Sequence, residues 1–282
     1  MKTSRIARRF SDLRDEDRAG LVTFITAGDP DFETSSAILA GLAHAGADVI
    51  ELGMPFSDPM ADGPSIQAAG QRALASGHTM RHTLNMVARF REDDDETPIV
   101  LMGYFNPIHR MGADAFAIEV RRAGVDGLIV VDLPPEEEEE LREPAAAADI
   151  DLIRLIAPST DDGRINQLME NAGGFIYYVS VTGITGTKSA TQATIASGVA
   201  RIRAASNLPV AVGFGIRTPE QAAEVASVAD AVVVGSAIVD RIADKHETGG
   251  RAAEIIVEDA LGFVRELAAG VQGARTTVNT KV

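Results

Sequence analysis

Two carboxylates stand out for the chemistry they could do. Glu51 lies in the apolar run Val49-Ile50-Glu51-Leu52-Gly53, and Asp62 follows eleven residues later, after a segment stiffened by Pro55 and Pro59. Alternate side chains of a strand share a face, so Val49 and Glu51 point one way while Ile50 and Leu52 point the other. A carboxylate among apolar neighbours is costly to keep charged, and its pKa rises toward the range useful to a general acid or base. Glu51 is therefore the first catalytic candidate, against the alternative of a structural glutamate bonded to a neighbouring strand or loop. Asp62 precedes Gly63 and fits a turn aspartate or a carboxylate folded back over the same site.

A second group of residues suits a phosphate. Gly213-Phe214-Gly215-Ile216 and Gly235-Ser236-Ala237-Ile238 each follow a β-rich run, and a short helix is expected to start at Ser236. Glycines expose backbone N–H groups and a helix start adds the positive end of its dipole, so the two loops together can seat a dianion. The stretch from Tyr177 to Lys188, rich in Gly and Thr, fits a lid closing over a bound phosphate ester or a merely flexible loop. Tyr177, if inward like Phe175, reaches the ligand. Other chemistries are excluded or disfavoured. The chain has no Cys, which removes disulfides, thiolate nucleophiles and Cys-ligated metals, and its five His show no metal spacing. No metal site is expected. Lys188 sits in the candidate lid rather than on a strand, which disfavours Schiff-base chemistry.

These residues need a frame. Eight short β-rich runs, residues 21–26, 48–52, 99–103, 127–131, 152–156, 175–179, 210–213 and 231–234, alternate with stretches of helical periodicity. The expected helices cover 32–45, 65–75, 80–91, 113–123, 136–147, 165–171, 191–205 and 219–228. Strict alternation implies parallel strands, and eight units in this length predict an α/β fold of the (β/α)8 TIM barrel class. Ala27-Gly28-Asp29-Pro30 after the first strand is no dinucleotide loop, which speaks against a doubly wound sheet. Such a barrel places its active site at the C-terminal strand ends, where Glu51, Asp62 and the two glycine loops all fall. An extra amphipathic N-terminal helix within residues 1–13 and a final helix over 251–269 complete it. Residues 1–270 are expected as one barrel domain, with 271–282 a flexible tail. The acidic run 136–140 reads as a solvated helix start and 92–96 as a polar connection rather than a calcium loop.

Charge narrows the partners. Twenty-six Lys and Arg against 41 Asp and Glu leave a net charge of -15 over 282 residues, which argues against nucleic acid and anionic membranes. No secretory signal or membrane-length apolar run is present, so a cytoplasmic protein is expected. Lys2, Lys188, Lys245 and Lys281 are the only lysines. High acid with scarce lysine suggests salt-loaded surroundings in which screening offsets self-repulsion, the alternative being an ordinary acidic protein.

The segment Glu51-Leu52-Gly53-Met54-Pro55-Phe56-Ser57-Asp58-Pro59-Met60-Ala61-Asp62-Gly63-Pro64 closely resembles the signature of the tryptophan synthase alpha subunit family. Phe24-Ile25-Thr26-Ala27-Gly28-Asp29-Pro30, Met102-Gly103-Tyr104-Phe105-Asn106-Pro107, Val131-Asp132-Leu133-Pro134 and Gly183-Ile184-Thr185-Gly186 match in family order, as do both glycine loops. The resemblance implies a lyase that cleaves indole-3-glycerol phosphate to indole and glyceraldehyde 3-phosphate in tryptophan biosynthesis. It implies that Glu51 protonates the indole ring and that Asp62 bonds the indole N–H. Phe24, Met102 and Tyr177 match the indole pocket, Gly186, Gly215, Gly235 and Ser236 the phosphate cradle, and Thr185 the lid residue that touches the aspartate. It further implies a beta subunit as partner in an alpha2beta2 heterotetramer, docking near Asp58, Pro59 and Asn106. Pyridoxal phosphate is expected in that partner and no cofactor in this chain. The lid departs from the family at Val181-Thr182 and Lys188, which bears on closure and coupling more than on chemistry. A stand-alone indole-releasing lyase is the runner-up, and a non-catalytic phosphate-binding regulator is disfavoured because both acids are present.

Overall fold

Helix and strand alternate in the computed structural model, which describes residues 4–180, 192–213, 215–248 and 252–275. The chain opens with α1 (Arg5–Asp15), β1 (Gly20–Thr26), α2 (Phe32–Leu42), β2 (Val49–Gly53), α3 (Pro64–Ala75) and α4 (Met80–Asp93). It continues with β3 (Ile99–Gly103), α5 (Phe105–Met111), α6 (Ala113–Ala123), β4 (Gly127–Val130), α7 (Glu139–Ala147), β5 (Asp151–Leu152) and β6 (Arg154–Ile156). The last part holds α8 (Asp162–Met169), β7 (Ile176–Val179), α9 (Gln192–Ala205), β8 (Val210–Gly213), α10 (Pro219–Ala226), β9 (Ala231–Val234), α11 (Ser236–Thr248) and α12 (Ala253–Gly273). Local chemistry fixes many helix starts: Ser4, Asp31, Thr79, Asp161 and Thr218 each accept a backbone N–H of their own first turn. Each such cap is worth about 1 kcal/mol.

All strand pairs are parallel, in the order β5-β4-β3-β2-β1-β9-β8-β7-β6. β5 pairs with β4 and β6 with β7, so the ring closes through the pair β5–β6. Together these two are the single strand expected at 152–156, interrupted at Ile153. Ile153 still donates its N–H to the Leu128 carbonyl at 2.9 Å, and the chain then hands over from β4 to β7. The result is the expected (β/α)8 TIM barrel with an extra N-terminal helix.

Side chains sort by strand alternation. Val22, Val49, Val100, Ile129 and Phe175 fill the interior, while Leu21, Ile25, Ile50 and Leu52 pack outward against the helices. The barrel floor is closed by α1, whose Ile6, Phe10 and Leu13 join the interior cluster, with the Phe10 and Phe175 rings 5.6 Å apart. At the same end Asp48, Asp126 and Asp230 accept the N–H groups of Leu21, Ile99 and Val210 from the adjacent strand at 2.8–2.9 Å. Arg18, Arg91 and Arg203 pair with these three carboxylates at 2.8 Å. Asp48 is thus a clamp below β2 rather than its first residue.

Several expected boundaries are corrected. The helix expected at 136–147 is a 3-10 turn over Pro135–Glu137 followed by α7. The acidic run there is not wholly solvated: Glu138 is only 1% exposed and pairs with Arg154, also buried, whereas Glu136 and Glu140 stay outside on Arg164 and His109. An Arg on the outward face of β6 needs that partner, because an unpaired buried charge is costly. Helix α5 was not expected from periodicity; its Pro107 sits in the first turn, where N–H groups have no intrahelical acceptor. Helix α11 starts at Ser236 as expected but has 13 residues, longer than the short helix read there. Helix α12 runs on to Gly273 with Val271 buried, so the first residues assigned to a tail continue the helix; residues 276–282 lie outside the described part. Among the described residues no helix is long and apolar enough to cross a membrane.

Candidate active site

Glu51 sits in β2, in register with Phe24 of β1 and Val100 of β3. It is 1% exposed, and its Oε1 has no hydrogen-bond partner. Burial, with a further contribution from the charge of Asp62, pushes its pKa up to about 8. At neutral pH this carboxyl therefore holds its proton.

Asp62 lies in the loop between β2 and α3, half-buried. The loop turns tightly, with Asp62 N–H donating to the Pro59 carbonyl at 3.2 Å and Gln67 Nε2 donating to the Asp62 carbonyl at 2.9 Å. Burial raises the Asp62 pKa to about 6, and the Tyr104 hydroxyl opposes the rise. Two carboxyls of one site are thereby separated, one mainly protonated and one mainly charged at pH 7. That is the pattern of an acid paired with an electrostatic stabiliser. Helix α3, which follows the loop, is anchored by Arg72, whose Nε and Nη2 donate to the Asp29 carboxylate at 2.7 and 2.9 Å.

Around the acids the mouth of the barrel is apolar. Phe24, Met102, Tyr104, Val131 and Asp62 line one opening at the ends of β1 to β4. The Phe24 ring lies over Gly53, where an added Cβ would stand 2.6 Å from it, so a larger residue there would displace the ring. Tyr177 of β7 is inward with Phe175, as expected, and nearly buried. Its phenol is raised well above the usual value by burial and by Glu51. Met102, Val131, Leu155 and Val179 form the partly buried upper edge of the interior cluster. The structure thus brings Glu51, Asp62, Phe24, Met102 and Tyr177 to one mouth.

Gly215, Gly235 and Ser236 lie beyond the ends of the neighbouring strands β8 and β9. Gly215 has φ +80°, a conformation that glycine adopts without strain, and Ser236 opens α11 at the exposed edge. Thr185 and Gly186, with the rest of the lid at 181–188, and Phe214 lie outside the described residues. Sequence reasoning missed Tyr104, Val131 and Leu155 as site residues. The inward-outward alternation of β4 and β6 was the signal for the last two. Nothing in spacing pointed to Tyr104, because its contact is made across two loops. Among the described residues no group of three His, Cys, Asp or Glu could hold a metal.

Comparison with known proteins agrees with this geometry. The profile of the family described as tryptophan synthase alpha chain matches residues 10–258. The structure of tryptophan synthase subunit alpha from Legionella pneumophila str. Paris is similar at 38% identity and a TM-score of 0.88, over 96% of this chain and 99% of that one. A chain of Mycobacterium tuberculosis tryptophan synthase is similar at 36% identity and a TM-score of 0.86, again over 96% and 99%. With the match running through β2, its loop and both glycine loops, the chain belongs to the tryptophan synthase alpha chain family.

Proposed function

We propose that the barrel mouth cleaves indole-3-glycerol phosphate to indole and glyceraldehyde 3-phosphate, with Glu51 and Asp62 as its catalytic residues. The observation that carries this reading is the buried Glu51 carboxyl, without a hydrogen bond on Oε1 and protonated at neutral pH, beside a charged Asp62. Glu51 gives its proton to the indole carbon bearing the glycerol chain, which leaves a positive charge delocalised to the ring nitrogen. Asp62 bonds the ring N–H and stabilises that charge, an effect strengthened by the apolar wall of Phe24 and Met102. The Glu51 carboxylate so formed takes the proton of the adjacent chain hydroxyl. The C–C bond then breaks, its electrons return to the ring, and the hydroxyl carbon becomes the aldehyde. Indole leaves neutral and Glu51 has regained its proton.

Phe24, Met102 and Tyr177 hold the indole. Gly215, Gly235 and Ser236 hold the phosphate at the start of α11, with Gly186 and Thr185 completing the cradle and lid. The partner is a beta subunit carrying pyridoxal phosphate, in an alpha2beta2 assembly that takes up the indole, and this chain needs no cofactor of its own. Met60, exposed at the tip of the β2 loop, and the neighbouring Asp58 and Pro59 face that partner together with Asn106 on α5. The protein acts in the cytoplasm, and its acidic surface suits high salt.

The test is indole release from indole-3-glycerol phosphate in molar KCl, with and without a matched beta subunit. Weak cleavage that rises with the partner is expected. Fast cleavage by the chain alone would point to an independent lyase. No cleavage in either condition, with ligand bound, would overturn the reading.

A further inference from the structure

We infer that Tyr104 is a positioning residue for this reaction, fixed at the start of α5 so that its hydroxyl holds the Asp62 loop and carboxylate at the pocket. The inference rests on the function proposed above and adds a residue to it. Tyr104 is 2% exposed and immediately precedes α5. Its ring packs on Phe56 with centroids 5.3 Å apart, and both residues line the same opening as Asp62. The Ala61 N–H donates to its Oη at 3.0 Å. That bond uses an oxygen lone pair and leaves the hydroxyl proton free to turn toward the Asp62 carboxylate, which follows Ala61 in the chain and lines the same opening.

The start of α5 is itself tied down. The Phe105 N–H donates to Asp132 Oδ1 at 2.8 Å, linking α5 to the loop after β4. His109 Nδ1 lies 2.9 Å from Glu140 Oε1 at the start of α7. The phenol thus ties the anchored start of α5 to the loop that carries Asp62. The titratable groups near Asp62 are Tyr104, which acts on it from this side, and Glu51 of β2, on which Asp62 itself acts. A hydrogen bond donated to a carboxylate favours its charged form, the form that a developing positive charge on the indole needs.

Tyr104→Phe removes the proton donor and keeps the ring. The assay is kcat and KM for indole-3-glycerol phosphate cleavage from about pH 5 to about pH 9, with thermal midpoints measured alongside. The acid limb of kcat/KM is expected to move up by about one pH unit. The loss of rate, about fivefold near pH 6 and approaching tenfold at about pH 5, should shrink above pH 7, while the alkaline limb set by Glu51 stays in place. An unmoved acid limb, or a loss uniform in pH, overturns the inference. If Tyr104→Phe does not fold, Asp132→Ala carries the same test from outside this opening: a raised acid limb supports the role and an unmoved one overturns it. A parent chain that binds ligand yet releases no indole with its partner would defeat the proposed function itself, and this role with it.

Discussion

Replacing Glu51 by Gln separates the two consequences of burying an acid, one for stability and one for catalysis. The Glu51 pKa rises from 4.5 to about 8 in the folded chain. At about 1.4 kcal/mol per unit, a rise of about 3.5 units is a stability difference on the order of 5 kcal/mol. The sign follows from proton binding: the folded state holds this proton more tightly than the unfolded state. Its contribution is therefore fully present below about pH 4.5, declines as pH rises, and is lost above about pH 8. The amide introduced by Glu51→Gln cannot titrate, so the stability of this variant relative to the parent should climb by several kcal/mol across that window. Groups remote from Glu51 titrate alike in both proteins and cancel in the difference, and only Asp62 and Tyr177, which interact with it, add to the slope. Urea unfolding of the two at matched salt, at a series of pH values, reads the slope directly. A constant offset between the two curves would refute the reasoning, since it would mean that Glu51 titrates as an ordinary exposed acid. The same variant should lose indole release while still binding the phosphorylated ligand, because amide and carboxyl have similar shape but only the carboxyl transfers a proton.

Two further outcomes follow from charges elsewhere. Arg72→Leu leaves the Asp29 carboxylate, 1% exposed, without its bidentate partner, and should cost about 3–5 kcal/mol in chemical denaturation. A loss below about 1 kcal/mol would mean that Asp29 takes up a proton or water at little cost. With a net charge of -15, the thermal midpoint should rise with KCl from dilute buffer to molar concentration, as the screening length falls from about 10 Å at 0.1 M to about 3 Å at 1 M. A midpoint insensitive to KCl would mark an ordinary acidic protein.

Much of the barrel was legible because its signal is local. Alternation placed Val49 and Glu51 inward and Ile50 and Leu52 outward, and the structure has Val49 in the interior cluster and the other two outside it. Helices 113–123 and 80–91 were read nearly to their ends because their apolar stripes recur at helical spacing. Glu138 was misread for the opposite reason. Five consecutive glutamates look equally solvated, and only the approach of Arg154 from β6 makes one of them a buried partner. The break at Ile153 was equally hidden, since the apolar run continues through it while the hydrogen-bonding partner changes from β4 to β7.

The candidate site divides in the same way. Residue type and spacing along β2 sufficed to single out Glu51, and the glycines at 213, 215 and 235 to expect a phosphate seat, because strand direction and loop position follow from local pattern. The sequence left Asp62 open between a turn residue and a site carboxylate. Its burial and the Tyr104 hydroxyl beside it exist only once the loops after β2 and β3 meet across the barrel mouth. A side chain's period along the chain is written in its neighbours in sequence. Its pKa is set by what stands near it in space, and that depends on how the staves of the barrel close.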